Sequence, residues 1–324
     1  MAKSIDYVNG VIAAKEVSLL GGKIIKLCEI SAEEAFRAVI ESGFGKGAEA
    51  SDVYGYENIL YADEKDTDGF IREYSPSDAE RAYFLSPRDF HNAKALLKAR
   101  YLAAEADKML APEGLFSAEE ISRCIKEEDY LPLGRDLAEA LKTASGLFNS
   151  GDGEVSGAEV GAVFENALYK YLFSVCAKNS TLKKLLVKKA DMTNIITALR
   201  SASPEYAEKN YVYGGKLKKE QLEKLFSEDS EKTATCLDGT DYAEFARICL
   251  EDKSKGLPLT RAEIIRDDLE IDFLAERKYE LKRTQPFLYY VLRRRAENSN
   301  LRILFVCLLA GMDENSIKKR MRAI

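Results

Sequence analysis

The 324-residue sequence predicts an all-α protein built from three similar tandem units. Apolar residues recur at spacings of three and four along most of the chain, as in Leu168, Leu172 and Val175, which is the period of a helix with one buried face. Strict alternation of apolar and polar residues, which is typical of a half-buried strand, is scarce. Glycine-containing breaks, where helix–helix connections are expected, lie near residues 43–47, 151–157, 214–215 and 256.

Two near-identical helix starts are the first sign of an internal repeat. Ser31-Ala-Glu-Glu-Ala and Ser117-Ala-Glu-Glu-Ile each place a glutamate three residues after a serine, which is the capping box that opens a helix. Weaker versions of this start are Lys218-Lys-Glu-Gln-Leu and Asp313-Glu-Asn-Ser-Ile. A glycine precedes the second and third starts at the same distance, at Gly114 and Gly215. The four starts therefore predict that similar helix beginnings recur along the chain.

A second repeated element is an acidic residue three positions before an asparagine, followed by an apolar-rich helix. Residues three apart share a helical face, so the acid and the amide should meet the same neighbour. The asparagines are 102 and then 106 residues apart, which predicts three units, residues 1–112, 113–213 and 214–324. A structural amide that ties helices together explains the asparagine, because no further polar residues of a ligand site are evident. The pairs are Asp89 with Asn92, Asp191 with Asn194, and Glu297 with Asn300.

The charge of the chain excludes some partners. Its formal net charge of −6 gives no overall attraction to nucleic acid or to an anionic membrane surface. The charge is polarised, because the segment 277–324 holds twelve Lys and Arg against four Asp and Glu. Within that segment Arg293, Arg294 and Arg295 are candidates for docking an acidic partner surface, and a solvated basic face is the alternative.

The sequence offers few residues for catalysis, and we expect no catalytic residue, cofactor or metal. His91 is the only histidine, and it lies in a helix-like segment without a nucleophile motif, which favours an ordinary helix position. Gly43–Gly47 superficially resembles a phosphate loop but lacks its GK[ST] ending and a preceding strand, so we expect a link between helices. The turn at 148–159 places Phe148 where a calcium loop requires a carboxylate, so it too should be a helix–helix loop.

No segment is predicted to enter a membrane or to direct secretion. Charged residues interrupt the first 20 residues, unlike the apolar stretch of a signal peptide. The longest apolar run, Ile303–Met312, has ten residues, about half of what a membrane-spanning helix needs. The six cysteines include no C-x-x-C pair, which indicates reduced core thiols in a cytosolic protein.

The three acidic-x-x-Asn helices and the C-terminal block PFLYYVLRRRAENSNLRILFVCLLAGMDENSIKKRM resemble the V/A-type ATPase (ATP synthase) family of C subunits, whose eukaryotic V-ATPase members are called d subunits. In that family the block contains a Tyr-Leu helix with basic residues, a glutamate, an Asn-Leu-Arg-Ile motif, a glycine and an amphipathic terminal helix. The residues that match in this order are Tyr290, Leu292, Arg293, Glu297, Asn300, Leu301, Arg302, Ile303 and Gly311. The resemblance spans essentially the whole chain. The sequence departs from the family at Ile12 and Ala13, where arginine is common, and in Phe305–Leu309, which lacks the usual lysine.

The resemblance implies a funnel-like, pseudo-threefold arrangement of three helical domains. It implies a non-catalytic central-stalk rotor subunit that lies on the cytoplasmic face of the membrane proteolipid ring, peripheral to the membrane. The protein would receive the central axle made by the D and F subunits and couple ATP hydrolysis or synthesis to proton or sodium transport. A general helical scaffold or adaptor unrelated to the rotary ATPase is the alternative, because fold does not dictate function.

Overall fold

The computed structural model describes residues 3–149, 156–227, 233, 235–275, 277–280 and 283–323. These residues form fifteen α-helices and no strand, which confirms the all-α prediction. The α-helices are α1 Ile5–Glu16, α2 Lys23–Lys26, α3 Ala32–Glu41, α4 Tyr56–Tyr74, α5 Asp78–Leu102, α6 Ala118–Glu127, α7 Arg135–Asn149, α8 Gly157–Val175, α9 Ser180–Arg200, α10 Pro204–Asn210, α11 Lys219–Glu223, α12 Ala243–Ser254, α13 Thr260–Ala275, α14 Gln285–Leu309 and α15 Glu314–Lys318. Short 3-10 helices lie at Leu27–Glu29, Val53–Gly55, Asp107–Met109, Leu131–Leu133 and Lys224–Phe226.

Helices begin at all four predicted starts. Helix α3 follows Ser31 and α6 follows Ser117, and both starts form the full reciprocal capping box with the glutamate three residues on. Helix α11 follows Lys218, whose backbone N–H donates to Gln221 Oε1 at 3.0 Å. Lysine has no acceptor to return that bond, so only half of the box forms there. Helix α15 follows Asp313, whose carboxylate accepts from the third residue of the helix.

The chain divides into two compact units. The first consists of Met1–Ser77 and Asp267–Ile324, and the second of Asp78–Arg266. The first unit is therefore discontinuous in sequence and contains both ends of the chain. The three units expected from the repeats, and the funnel-like arrangement implied by the resemblance, stay predictions.

In the first unit, α4 and α14 pack side by side along most of their lengths. Glu57, near the start of α4, pairs with Arg302, near the end of α14. Phe70, near the end of α4, stacks on Phe287, near the start of α14. The two helices are therefore antiparallel. Around the C-terminal half of α14 lies an apolar core that includes residues from both ends of the chain: Leu20, Ile24, Cys28, Phe36, Val39, Leu60, Leu301, Leu304, Phe305 and Ile317.

In the second unit, α5 is the central helix, since α6, α7 and α8 all pack against it. The core between these four helices includes Phe90, Leu97, Ile121, Ile125, Leu137, Leu141, Val160 and Phe164. Helix α9 packs against α8, α10 and α12. Both α5 and α9 carry a predicted acid and asparagine pair near the middle of the helix, so each pair lies on a helix that packs against several others.

The six cysteines are free thiols, and five of them are buried. Burial raises the pKa of the Cys176 thiol to about 12, and that of Cys249 by the same cause to about 12. Thiols with pKa values that high are protonated and unreactive at neutral pH. They serve as small apolar residues of the helical core.

Candidate functional site

The first acid and asparagine pair holds the chain segment that follows α5. Asn92 Nδ2 donates to the carbonyl of Ala111 at 3.1 Å, and the N–H of Ala111 donates to Asn92 Oδ1 at 2.8 Å. The two carboxylate oxygens of Asp89 accept the backbone N–H groups of Leu115 and Phe116, both at 3.0 Å. Both polar side chains are buried. The pair therefore binds main chain at two points four residues apart, immediately before the start of α6.

The second pair, on α9, repeats this arrangement with the segment before α11. Asn194 Nδ2 donates to the carbonyl of Val212 at 3.2 Å, and the N–H of Val212 donates to Asn194 Oδ1 at 2.8 Å. Asp191 Oδ1 accepts the N–H groups of Lys216 at 2.7 Å and Leu217 at 2.9 Å. The spacing between the two contact points is again four residues. The repeat seen in sequence is thus a repeat of backbone hydrogen bonds.

Asp191, the acid of the second pair, also accepts a hydrogen bond from a side chain. Tyr242 Oη donates to Asp191 Oδ2 at 2.7 Å, which ties α9 to the residue just before α12. Burial and this hydrogen bond to a carboxylate raise the pKa of Tyr242, so the hydroxyl keeps its proton and acts as a donor. Nothing in the sequence pattern around Tyr242 indicated this contact, because the two residues are 51 positions apart.

The third pair, on α14, binds main chain from two distant parts of the sequence. Asn300 Nδ2 donates to the carbonyl of Arg322 at 3.1 Å, and the N–H of Arg322 donates to Asn300 Oδ1 at 2.7 Å. Glu297 Oε1, however, accepts the N–H of Gly21 at 2.7 Å. Burial raises the pKa of Glu297, while its bonds to the N–H groups of Gly21 and Leu20 lower it. Both ends of the chain therefore meet at this pair.

Two of the glycines in the repeat are required by close approach of the backbone to the acid. A Cβ at Gly114 would lie less than 3.0 Å from the carboxylate of Asp89, and one at Gly215 less than 3.0 Å from that of Asp191. No real Cβ tolerates such a distance, so the backbone can approach the carboxylate only without a side chain there. The glycines before the second and third helix starts thus belong to the same arrangement as the acids.

The three pairs share one chemistry, which is to satisfy buried backbone groups. Each asparagine exchanges two hydrogen bonds with one residue, as a neighbouring strand would, and each carboxylate accepts N–H groups that would otherwise be unpaired. These atoms already have main-chain partners within the chain. The arrangement fixes connecting segments to long helices through buried hydrogen bonds.

A buried ion cluster that the sequence did not indicate lies next to the third pair. Arg294 forms an ion pair with Asp63 of α4, and Arg294 Nη1 also donates to the carbonyl of Ser18 at 3.3 Å. Asn298 Nδ2 donates to the carbonyl of Leu60 at 2.7 Å and contacts Asp63 Oδ2 at 3.3 Å. Burial outweighs the attraction of Arg294 and raises the pKa of Asp63 to about 6. The cluster joins α4, α14 and the N-terminal residues.

The three arginines expected to dock a partner lie at different depths. The side chain of Arg294 is 8% exposed and is committed to the buried cluster just described. That of Arg293 is 20% exposed and lies 4.0 Å from Glu297 Oε1. Arg295, at 31%, faces Asp68 at 3.5 Å and is the most accessible of the three. Docking through this stretch stays a prediction, and a test of it must leave Arg294 in place.

His91 has a structural contact in a helix, as expected of an ordinary helix position. Its Nε2 lies 2.8 Å from the carbonyl oxygen of Met109, which can only accept, so this ring nitrogen carries the proton. The neighbouring Asn92 binds Ala111, two residues further on. The two side chains together hold the turn at residues 109–111 against α5.

The glycine loop at 43–47 connects α3 to the 3-10 helix that precedes α4. Gly45 has a φ of +64°, and a Cβ there would lie less than 3.0 Å from Ile59, so the loop packs tightly on α4. In the turn at 148–159, which is predicted to be a helix–helix loop, residues 150–155 lie outside the described part of the chain. Ser156, just after it, caps α8 by accepting the N–H of Ala158 at 3.2 Å.

The described residues include neither a cluster suited to a metal ion nor a helix suited to span a membrane. Within those residues, no cluster of three or more His, Cys, Asp or Glu side chains has the arrangement of a metal site. None of the helices described combines the length and the apolar character needed to cross a bilayer.

Comparison with known proteins identifies the sequence by family. The family sequence model described as ATP synthase (C/AC39) subunit matches residues 8–320, nearly the entire chain. No individual curated protein matches the sequence significantly. The matched range contains all three acid and asparagine pairs.

Proposed function

Because the chain belongs to the ATP synthase (C/AC39) subunit family of V/A-type ATPases, we propose that it is a non-catalytic central-stalk rotor protein that couples the axle to the membrane proteolipid ring. In this proposal the D and F subunits form the axle, and the protein lies in the cytoplasm, peripheral to the membrane. The observation that carries the proposal is the family match across residues 8–320.

The packing of the chain supports a mechanical role. A coupling protein passes torque from one partner to another without chemistry, so it must resist bending. Close-packed helices have low compressibility, and the long helices α5, α9 and α14 each hold connecting segments through buried hydrogen bonds. Each such bond contributes about 1 kcal/mol net, but leaving its buried groups unpaired costs more, which discourages partial opening. Segments anchored in this way move with their helices.

The state of the polar residues supports a non-catalytic role. Asp89, Asp191 and Glu297 are buried and accept backbone N–H groups, so these carboxylates are committed to structure. The only histidine is bound to a backbone carbonyl. The reaction of the complex would then take place on other subunits, and this chain would transmit the motion.

Coupling also requires two interfaces that do not slip. We expect each to bury more than about 1,000 Å² in total, since smaller contacts are usually transient. Complementary charge would fix the register and orientation of such interfaces more than their affinity. The basic segment 277–324 is our candidate for contact with an acidic partner surface, and Arg295 is its most accessible residue in the arginine stretch.

Native mass spectrometry of reconstituted mixtures tests the proposed function. The purified chain is mixed with separately purified D and F axle subunits and with the detergent-solubilised proteolipid ring. We expect a complex that contains all three components at once, because a coupling protein must hold both partners. A chain that is folded by circular dichroism yet binds neither partner would contradict the proposal and favour a general helical scaffold.

A single charge reversal tests the docking residue. Arg295→Glu is compared with Arg247→Glu, a half-exposed arginine of the second unit that pairs with Asp238 at 2.5 Å. We expect Arg295→Glu to weaken capture of a partner by about ten-fold or more and Arg247→Glu to leave it unchanged. Equal binding by both variants would contradict docking through Arg295 while leaving the coupling role intact.

A further inference from the structure

The third acid and asparagine pair differs from the other two in what it holds. In the first two pairs, one continuous segment supplies all of the bound backbone groups. On α14, Glu297 holds Gly21 and Asn300 holds Arg322, which come from opposite ends of the chain. We propose that α14 is a clasp that fastens both ends of the chain, and that the two ends open and close together. This inference concerns the isolated chain and does not depend on the proposed function.

The N-terminal arm, residues 3–29, begins with helix α1, which packs on α14. Helix α1 buries only two side chains, Val8 and Ile12. Two ion pairs join this part of the arm to α4, but their acidic partners are more than half exposed, and such pairs contribute little. The pairs are Lys3 with Glu73 at 2.6 Å and Lys15 with Asp66 at 3.1 Å. Helix α1 is therefore attached to the rest of the unit by a small buried surface, and the residues that follow it are anchored more firmly.

Residues 18–21, which follow α1, are hydrogen-bonded to α14. The carbonyl of Ser18 accepts from Arg294, and the N–H of Gly21 donates to Glu297, both buried side chains of α14. Leu20, between them, is buried in the apolar core around α14. Arg294 Nη1 and Glu297 Oε2 are also 3.9 Å apart, so each of these two side chains affects the electrostatic environment of the other. We therefore expect the release of residues 18–21 to loosen α1, whose own buried surface is small.

The C-terminal segment, residues 313–323, is held by hydrogen bonds and by apolar packing. Asn300 exchanges two hydrogen bonds with Arg322, and the N–H of Ala323 donates to Asp268 Oδ1 at 3.0 Å. Ile317 of α15 is fully buried in the core around α14. The same helix face and the same core thus bind both ends of the chain.

Two direct contacts couple the ends to each other. Leu20 and Ile24 of the arm lie in one apolar cluster with Ile317 of the C-terminal segment. Lys318 Nζ lies 3.4 Å from Glu29 Oε1, which ties α15 to the end of the arm. Opening either end would expose apolar surface that the other end covers, and this makes joint opening the favoured event.

Hydrogen exchange followed by mass spectrometry tests the clasp. Asn300→Ala removes the bonds to Arg322, and Asn194→Ala removes the matching bonds to Val212 in the continuous second pair. We expect Asn300→Ala to speed exchange by about ten-fold or more in peptides from both 5–26 and 313–323. Asn194→Ala should speed exchange near residues 211–217 and leave both ends at the wild-type rate.

The result that overturns the proposal is faster exchange in 313–323 alone, because independent ends are not clasped together. If Asn300→Ala does not fold, a second pair of variants decides the question. Ile317→Ala opens the shared core, and Ile121→Ala removes the same atoms from the core of the second unit. Faster exchange at both ends in Ile317→Ala, but not in Ile121→Ala, supports the clasp. A change confined to 313–323, or no change at either end, overturns it.

Discussion

This protein contains two versions of one hydrogen-bonding motif. In the continuous version the acid and the asparagine bind one segment of chain, and in the split version they bind two distant segments. On α5 and α9 the acid and the asparagine bind a segment that lies 18 to 27 residues further along the same stretch of chain. On α14 the asparagine does the same at a distance of 22 residues, but the acid binds a segment 276 residues away. The third motif is therefore completed by the opposite end of the chain.

The difference shows that the motif requires a backbone segment in the right place and not a particular connection to it. Where the segment is continuous, covalent linkage keeps both contact points close to the helix even when one of them opens. Where it is split, each end must be held by its own contacts and by the shared core. We therefore expect the continuous motifs to be stiffer and the split motif to be the more easily opened.

The largest effect should come from removing the acid of a continuous motif. Asp191→Ala leaves the N–H groups of Lys216 and Leu217 and the hydroxyl of Tyr242 without their acceptor. Because each buried unpaired group costs about 1–3 kcal/mol, we expect the free energy of unfolding to fall by about 4 kcal/mol, measured by urea denaturation. Glu297→Ala should cost less, since it removes the acceptor of two N–H groups, those of Gly21 and Leu20, where Asp191→Ala leaves three donors unpaired. A larger loss for Glu297→Ala would reverse the comparison.

A glycine substitution should also separate the two versions. Gly114→Ala places a methyl group against the carboxylate of Asp89 and should cost about 1–3 kcal/mol of the free energy of unfolding. Gly22→Ala, beside the segment held by Glu297, meets no atom within 4 Å and should change it by less than about 0.5 kcal/mol. Thermal and urea unfolding of the two variants measure this. Equal losses would show that the split motif is packed as tightly.

The pH dependence of stability should report on the ion cluster beside the split motif. Burial raises the pKa of Asp63 from 3.8 to about 6, so the folded state binds a proton more tightly than the unfolded state does. The stabilisation is complete below the unfolded pKa and is lost as pH rises through about 6. From about pH 4.5 to 7.5, wild type should lose about 2 kcal/mol relative to Asp63→Asn. A constant difference in unfolding free energy between the two proteins across that range would contradict the assigned pKa.

The smallest effect concerns the helix starts. Lys218 completes only half of the capping box that Ser31 and Ser117 complete in full. Lys218→Ser supplies the missing acceptor for the first turn of α11 and should raise the free energy of unfolding by about 0.5–1 kcal/mol. Ser117→Ala, measured in the same urea assay, should lower it by a similar amount. Loss of stability in Lys218→Ser would show that the lysine side chain has a tertiary role.

Much of this architecture could be predicted from local sequence signals. The capping boxes at Ser31 and Ser117 need only four consecutive residues, and the all-α fold follows from apolar spacing along the chain. The repeated pairs on α5, α9 and α14 were visible because an acid three residues before an asparagine shares its helical face. What each pair binds could not be predicted, because a helix does not indicate which segment packs against it.

The role of each arginine in the basic stretch 293–295 could not be predicted from the sequence either. Arg293, Arg294 and Arg295 are equivalent as sequence letters, and a docking surface is a natural prediction for them. Their order on α14 turns them in different directions, so Arg294 enters the interior to meet Asp63 while Arg295 lies nearer the surface. Which arginine is buried depends on α4, which is more than 200 residues away in sequence.

The helices, their starts and the face on which each acid and asparagine pair lies follow from the sequence alone, because they depend on interactions within one or two helical turns. That Glu297 meets Gly21 and that Asp63 is buried with Arg294 follow only from the packed arrangement of the helices. Those contacts join residues more than 200 positions apart. They form only when several helices have packed, since burial and not residue type brings their charged and polar groups together.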